Sequence, residues 1–542
     1  MLMRRVCLVV GIFASQLLLA QPLPSSPQTF RNPILPGFYP DPSICRVGDE
    51  YYLVSSTFEY YPGIPIFHSK DLIHWKQIGH VLDRPSQLAI DSVRPSGAVF
   101  APTIRNSDGT FYVINTLVGR GGNFIVTATD PAGPWSDPHW LPNAPGIDPS
   151  LFFDDDGKVY YHGNVRPDSL PSDSKYRVIW LQELDLKTMQ LIGERTTILR
   201  EGALHGANNA EAPHIYKVNG WYYLIIAEGG TGENHAVTVF RSKNIRGPYE
   251  GNKRNPILTH RHLGQNVPIA CTGHADLVET QRGEWWMVLL AVRPYGGFHY
   301  NLGRETFLTP VAWEDGWPVV NPGHGRVLEV DRVPDLPLAP VPIPAARDGF
   351  NASRLGLDWN FLRTPREEFY SLAARPGHLR LFLRPQVVTK WESPTFVGRR
   401  QQHINFSAST VMEFTPSTEN ETAGLVLIQN SEFQFRMERM LVAGMHVVRL
   451  TRRHAGKEDI LAERSVETPR VFLKASAVGQ CYSFFFGTKE GVWKELKTDV
   501  DGRTLSRTNA GGFVGTYIAL YASSNGEKSS NVADFDWFEY TY

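Results

Sequence analysis

Short apolar runs rich in Tyr, Trp and β-branched residues recur along the N-terminal part of the chain. Each is too short for a helix and is bounded by turn residues, so each predicts a strand. They read Tyr51-Tyr-Leu-Val54, Phe111-Tyr-Val-Ile114, Val159-Tyr-Tyr161, Trp221-Tyr-Tyr-Leu224 and Trp285-Trp-Met-Val288. Each follows a polar turn, and before that turn stands a short motif: Asp41-Pro-Ser-Ile44, Ala101-Pro-Thr-Ile104, Asp148-Pro-Ser-Leu151, Ala212-Pro-His-Ile215 and His274-Ala-Asp-Leu277. The five copies begin 60, 47, 64 and 62 residues apart, room for four short strands and their loops in each unit. A third strand is expected at 64–68, 123–128, 177–181, 235–241 and 302–309. Radial repetition of four-stranded sheets is a five-bladed β-propeller. A β-sandwich of hairpins gives no reason for the same strand start to recur five times.

The repeat ends at Val333–Ala346, where five prolines forbid helix and central strand and favour an extended connector. Beyond it, Leu379–Arg384, Phe433–Met437 and Tyr517–Tyr521 alternate as strands with one buried face, and 534–540 reads as a closing strand. The expected fold is all-β: a propeller over 28–332, a proline-rich linker over 333–347 and an antiparallel, concanavalin-like β-sandwich over 348–542. The chain's 542 residues exceed what one hydrophobic core holds, which agrees with two domains.

Composition narrows the function. The 54 basic and 55 acidic side chains leave no basic footprint for nucleic acid or an anionic membrane. Arg4 and Arg5, the apolar stretch Val6–Leu19 and the small residue Ala20 read as a secretory signal over 1–20, predicting an extracellular protein. Without that segment the chain keeps Cys45, Cys271 and Cys481, enough for at most one disulfide. Asn351, Asn405 and Asn420 open sequons that are candidate glycosylation sites if the host is eukaryotic.

In a propeller the first strand of every blade lines the central channel, so the motif starts converge. Those positions hold Asp41, Ala101, Asp148, Glu211 (one before Ala212) and His274. Three carboxylates on one axis repel one another, and a purely structural channel would avoid them. Paired carboxylates beside aromatic platforms suit glycoside hydrolysis. Phe38, Tyr39, Phe58, Tyr60, Tyr61 and Phe100 lie next to the channel strands as candidate platforms. Asp154-Asp-Asp-Gly157 has the look of a calcium loop but sits between two predicted strands, where a hairpin turn is expected.

Several stretches resemble family 43 glycoside hydrolases, the β-xylosidases and α-L-arabinofuranosidases: 32–44, 56–66, 146–151, Glu228-Gly-Gly-Thr231, 272–277 and Leu302-Gly-Arg-Glu-Thr306. Gly511-Gly-Phe-Val-Gly515 resembles a loop of the family's appended sandwich that reaches back to the active site. The resemblance implies an inverting mechanism, with Asp41 as general base, Glu211 as general acid and Asp148 tuning the acid. It implies Arg304, Phe58, Phe100 and Phe513 as substrate contacts. It also implies His274 as the residue that in many members holds a calcium ion through water, with no cofactor required for the chemistry. Many members carry Trp at the position of Phe100 and Gly at that of Ala212.

The activity so implied is exo-hydrolysis of β-1,4-xylosidic bonds in xylo-oligosaccharides or arabinoxylan. Release of α-L-arabinofuranose stands beside it, because the two sugars share a stereochemical layout. A retaining fructan hydrolase would need its carboxylates about 5–5.5 Å apart, against roughly 6.5–9.5 Å for inversion. A non-catalytic carbohydrate-binding propeller has no use for all three carboxylates.

Overall fold

A computed structural model describes residues 28–204 and 208–542. The expected signal segment lies outside the described residues. The apolar runs become the second strands of five antiparallel sheets, four of them four-stranded meanders and one with a fifth, short strand. The first comprises Ser43–Val47, Glu50–Val54, Gly63–Ser69 and Lys76–Leu82. The second comprises Thr103–Ser107, Thr110–Val118, Gly122–Ala128 and His139–Trp140, with Ala98–Val99 pairing onto its second strand. The third is built from Ile147–Phe153, Val159–Val165, Val178–Asp185 and Gln190–Leu199. The fourth uses Glu211–Val218, Trp221–Glu228, Ala236–Ser242 and Glu250–Gly251. The fifth uses Ala270–Glu279, Trp285–Val292, Glu305–Glu314 and Trp317–Val320.

Local chemistry sets several of these hairpins. Asp108-Gly109 and Asn219-Gly220 form two-residue loops with φ of 49° and 78° and of 50° and 72°. Two successive left-handed residues are what a tight hairpin matching the strand twist requires. Asp154-Asp-Asp-Gly157 is likewise a turn: Asp154 N–H donates to Lys158 O at 2.9 Å, and its carboxylate takes Lys217 Nζ at 2.6 Å and Tyr222 Oη at 2.7 Å.

The first strands of the five sheets touch one another in chain order, and the fifth returns to the first. Five apolar clusters fill the spaces between consecutive sheets, for example Ile114, Leu151 and Trp180 between the second and third. The cluster of Ile44, Leu53, Trp286 and Leu308 joins the fifth to the first. This closed cycle is the arrangement a five-bladed propeller requires. It is fastened where Thr29–Arg31 pairs with Val330–Arg332.

The third strand of the fifth sheet begins at Glu305, not at Leu302 as the sequence predicts. Residues 302–304 are held out of the ladder because Gly303 abuts Gly515 of the C-terminal part. A Cβ on Gly303 would meet Gly515 Cα at 2.8 Å, and one on Gly515 would meet Leu302 O at 2.4 Å.

The proline-rich connector runs along the propeller, where Ala339 N–H donates to Asp71 Oδ2 at 2.8 Å. Two antiparallel sheets of eight and six strands follow. Their facing side chains share one core, with Leu381, Met412 and Phe535 from one sheet and Leu427, Phe435 and Leu520 from the other. Val532–Thr541, expected as a closing strand, pairs on both sides within the larger sheet. Cys45, Cys271 and Cys481 are all free.

The sandwich does not hang on the linker alone. Phe361–Leu362 pairs with Tyr60–Tyr61 of the propeller. A mixed apolar cluster joins Phe38, Phe58 and Tyr60 to Leu362, Phe396, Val514 and Tyr517. The rings of Tyr60 and Tyr517 stack at 3.7 Å.

Candidate active site

Four of the five motif starts, all but Ala101, share a backbone conformation as well as a place in the repeat. Asp41, Asp148, Ala212 and His274 have φ of 53°, 52°, 50° and 49°. Non-glycine residues rarely adopt such angles, and several together mark a functional constraint. The strand registers slip at these points between Ile147 and Ser150, Glu211 and His214, and Gly273 and Ala275. Such bulges re-aim single side chains. In the fourth sheet the residue before the repeat position, Glu211, supplies the carboxylate where Ala212 has none.

Asp41 is buried and fully bonded. Its Oδ1 accepts from Arg304 Nη1 at 2.7 Å, its Oδ2 from Arg304 Nη2 at 3.3 Å and from Ser56 Oγ, and His274 Nδ1 lies 3.7 Å away. Burial pushes its pKa up, but the Arg304 guanidinium, His274 and the Ser56 hydroxyl together carry it below the usual carboxylate value.

Asp148 and Glu211 behave in the opposite way. Burial raises Asp148 well above the carboxylate range, and the neighbouring charges of Glu211 and Asp41 add to the rise. Glu211 is half-buried. Burial, then the charge of Asp41, pushes it up to about 7 against the opposing charges of Arg177 and Arg304. The site therefore holds one carboxylate ready to take a proton and a close pair that retains one near neutrality.

The loop before Glu211 is anchored by buried Glu228, which accepts from Ala203 N at 2.8 Å and Leu204 N at 3.1 Å. Below the carboxylates, Asp276 accepts from Ser43 Oγ at 2.7 Å, Arg105 Nη1 at 2.9 Å and Tyr216 Oη at 2.5 Å. The second residue after each of Asp41 and His274 thus closes the channel floor, as strand alternation dictates.

The aromatic wall comes from both domains. Phe58 stacks on Phe513 at 5.6 Å and lies 5.2 Å from Phe100, while Arg304 Cζ sits 5.5 Å from the rings of both Phe58 and Phe513. Phe100 and Phe513 are half-buried, but Phe58 is 2% exposed and supports the other two from behind. Phe38, Tyr39, Tyr60 and Tyr61, also candidates for a sugar platform, are buried packing.

His274 is buried, and burial lowers its pKa despite the nearby charge of Asp41. Among the described residues no three His, Cys, Asp or Glu side chains gather as a metal cage. A calcium ion prefers six to eight oxygens. Among the described residues the one carboxylate paired with His274, Asp41 at 3.7 Å, is already engaged by Arg304, so those residues do not form a direct calcium site.

Sequence reasoning brought out Asp41, Asp148 and Glu211 as candidate carboxylates, but not the supporting roles of Glu228 and Asp276. It did not bring out Ser56, Arg177 or Thr231, whose Oγ1 takes Arg304 Nη1 at 3.3 Å. Ser56 and Thr231 stand inside the resemblance stretches and could have been found from them, whereas nothing marks Arg177.

The sequence pattern of glycosyl hydrolases family 43 matches residues 30–318, and that of the beta xylosidase C-terminal concanavalin A-like domain matches 347–541. The chain is 46% identical over 514 residues to a xylosidase/arabinosidase of Butyrivibrio fibrisolvens, covering 94% of this chain and 98% of that one. It is 41% identical over 544 residues to the non-reducing end alpha-L-arabinofuranosidase BoGH43B of Bacteroides ovatus, covering 99% and 98%. Among solved structures, xylan beta-1,4-xylosidase from Bacillus halodurans C-125 superposes with a TM-score of 0.88 at 36% identity, covering 94% of this chain and all of that one.

Proposed function

This chain belongs to family 43 of the glycosyl hydrolases, and on that premise we propose that it is an inverting exo-pentosidase cleaving β-1,4-xylosidic bonds at the ends of xylo-oligosaccharides. The observation that carries the reading is the split among the carboxylates: Arg304 clamps Asp41 at 2.7 and 3.3 Å and favours its ionised form, while the close pair of Asp148 and Glu211 retains a proton near neutrality. Asp41 takes a proton from water as its oxygen attacks the anomeric carbon. Glu211 gives its proton to the departing glycosidic oxygen, and Asp148 keeps Glu211 protonated and oriented. Asp41 ends protonated and Glu211 ionised, and exchange with solvent resets both. Phe100, Phe513 and Arg304 line the sugar pocket, with Phe58 behind them.

Release of α-L-arabinofuranose is the second reading, favoured by the name of the Bacteroides ovatus relative. The test is product analysis by NMR on xylobiose and arabinoxylan oligosaccharides, with the two aryl pentosides assayed in parallel. Xylose appearing first as the α-anomer supports the main reading. A β-anomer appearing first overturns inversion, and turnover of the arabinofuranoside alone favours the second.

Export to the cell exterior belongs to the same proposal, supported by the composition of 1–20 and by the exposure of Asn351, Asn405 and Asn420. A calcium ion held through water near His274 would be a structural adjunct, and no step depends on it. Prolonged chelation that leaves rates unchanged removes it.

A further inference from the structure

Glu59 is a buried carboxylate, 1% exposed, that the reaction does not use. Among the described residues no cation lies within ion-pair distance of it. Burial pushes it up to about 7, opposed by Arg363 and by the amide of Ser96. A carboxylate buried in a core is costly unless it is paired or hydrogen-bonded. Its Oε2 accepts the Ser96 amide at 2.9 Å, and Ser96 Oγ accepts the Phe513 amide at 2.8 Å. Two hydrogen bonds thus lead from a propeller carboxylate to the sandwich residue at the pocket wall.

Both ends of this chain are constrained. Ser96 and Ala98 have φ of 55° and 65°, a strained pair that persists only where surroundings over-determine it. The same loop is tied to Phe58, whose N–H donates to Val99 O at 2.9 Å. At the sandwich end, Gly512 has φ of 71°, and a Cβ there would lie 2.5 Å from Ser96 Oγ, so the backbone passes directly over the serine. Arg363 of the sandwich donates its amide to Glu59 O at 2.9 Å and its Nε to Val93 O at 2.7 Å, fixing Glu59 from the other side.

We propose that Glu59 is a positioning residue for substrate binding, which sets through Ser96 how far Phe513 stands over the sugar pocket. The bond chain makes the depth of the pocket a property of the domain interface. The kinetic arm of the test rests on the pentosidase reading; the structural arm does not.

The full-length variants Glu59→Ala, Glu59→Gln, Ser96→Ala, Phe513→Ala and the double variant Glu59→Ala/Phe513→Ala are assayed with an aryl xyloside. Glu59→Ala and Ser96→Ala are expected to raise KM about three- to tenfold, the worth of one lost hydrogen bond, with kcat nearly unchanged. Glu59→Gln keeps an acceptor oxygen and stays near the parent enzyme. In the Phe513→Ala background, Glu59→Ala adds nothing further. An equal KM rise in both backgrounds, or unchanged KM in both Glu59→Ala and Ser96→Ala, overturns the proposal. If Glu59→Ala does not fold, Ser96→Ala and Glu59→Gln decide it. A parent enzyme inactive on every pentoside defeats the functional reading instead. The relay is then judged from crystal structures of Ser96→Ala and the parent: Phe513 displaced from Phe58 supports it, and Phe513 unmoved overturns it.

Discussion

Arg304 clamps Asp41 with both terminal nitrogens, at 2.7 and 3.3 Å, from a loop that Gly515 of the sandwich holds out of the fifth sheet. The ionisation of the proposed base therefore depends on a contact between domains. Burial alone pushes Asp41 towards its protonated form, and a protonated carboxyl cannot take a proton from water.

Removing the clamp raises the Asp41 pKa, because burial then acts with less opposition. Asp41 works ionised, so the acidic limb of the kcat/KM profile should move to higher pH in Arg304→Ala. At neutral pH the rate should fall on the order of a hundredfold or more, as lost positioning adds to lost base. A pH–rate profile checks this, and an acidic limb unmoved in Arg304→Ala contradicts it.

Glu211, at about 7, works protonated, so the basic limb should fall near neutrality. Glu211→Ala should slow xylobiose on the order of a hundred- to ten-thousandfold and affect activated aryl xylosides far less, because acidic phenols leave without a donated proton. Asp41→Ala should slow both substrates alike. Asp148→Asn leaves Glu211 titrating alone instead of as one half of a close carboxyl pair, so the basic limb should move to lower pH. Equal losses on both substrates in Glu211→Ala would show the acid misassigned.

Ala212 holds φ of 50° where Gly would have no Cβ to accommodate. Ala212→Gly should therefore stabilise the protein by about 0.5–1 kcal/mol, relief of the left-handed conformation outweighing the added chain entropy. Chemical denaturation measures it, and a destabilised variant would show that the methyl packs usefully.

Much of this was legible in the sequence because repetition multiplies a weak signal. A single Asp-Pro marks only a turn, but five motif starts in one register place Asp41, Asp148, Glu211 and His274 around a common channel before any coordinate is known. Alternation likewise marks the sandwich strands. What stayed hidden depends on contacts between segments distant in the chain. Leu302–Arg304 has strand-like composition, yet the approach of Gly515 keeps it as a loop. Phe58 and Tyr60 look like platforms by position but are buried, because Val514 and Tyr517 arrive from the other domain. Ser96 carries no local signal, since its role comes from Glu59 on one side and Phe513 on the other.

The interface cluster makes a last prediction, on the independence of the propeller. Phe38 and Tyr60 are 0% and 1% exposed, and the sandwich covers part of both, with Tyr517 stacked on Tyr60 and Arg400 Nε donating to Phe38 O at 2.7 Å. A chain ended near Val333 would bare these rings and lose Phe513 from the pocket and Gly515 from behind Arg304. Burying one such ring stabilises by about 1.5–3 kcal/mol, so exposing several approaches the whole stability of a domain. The fragment should aggregate or be inactive. Tyr517→Ala in the full chain is the milder test: a ring lost from a packed core should cost about 3–5 kcal/mol in denaturant unfolding. The aryl xyloside KM should rise as well, because Tyr517 lies four residues from Phe513. A soluble, fully active fragment ending near Val333 would show that the sandwich is not part of the site.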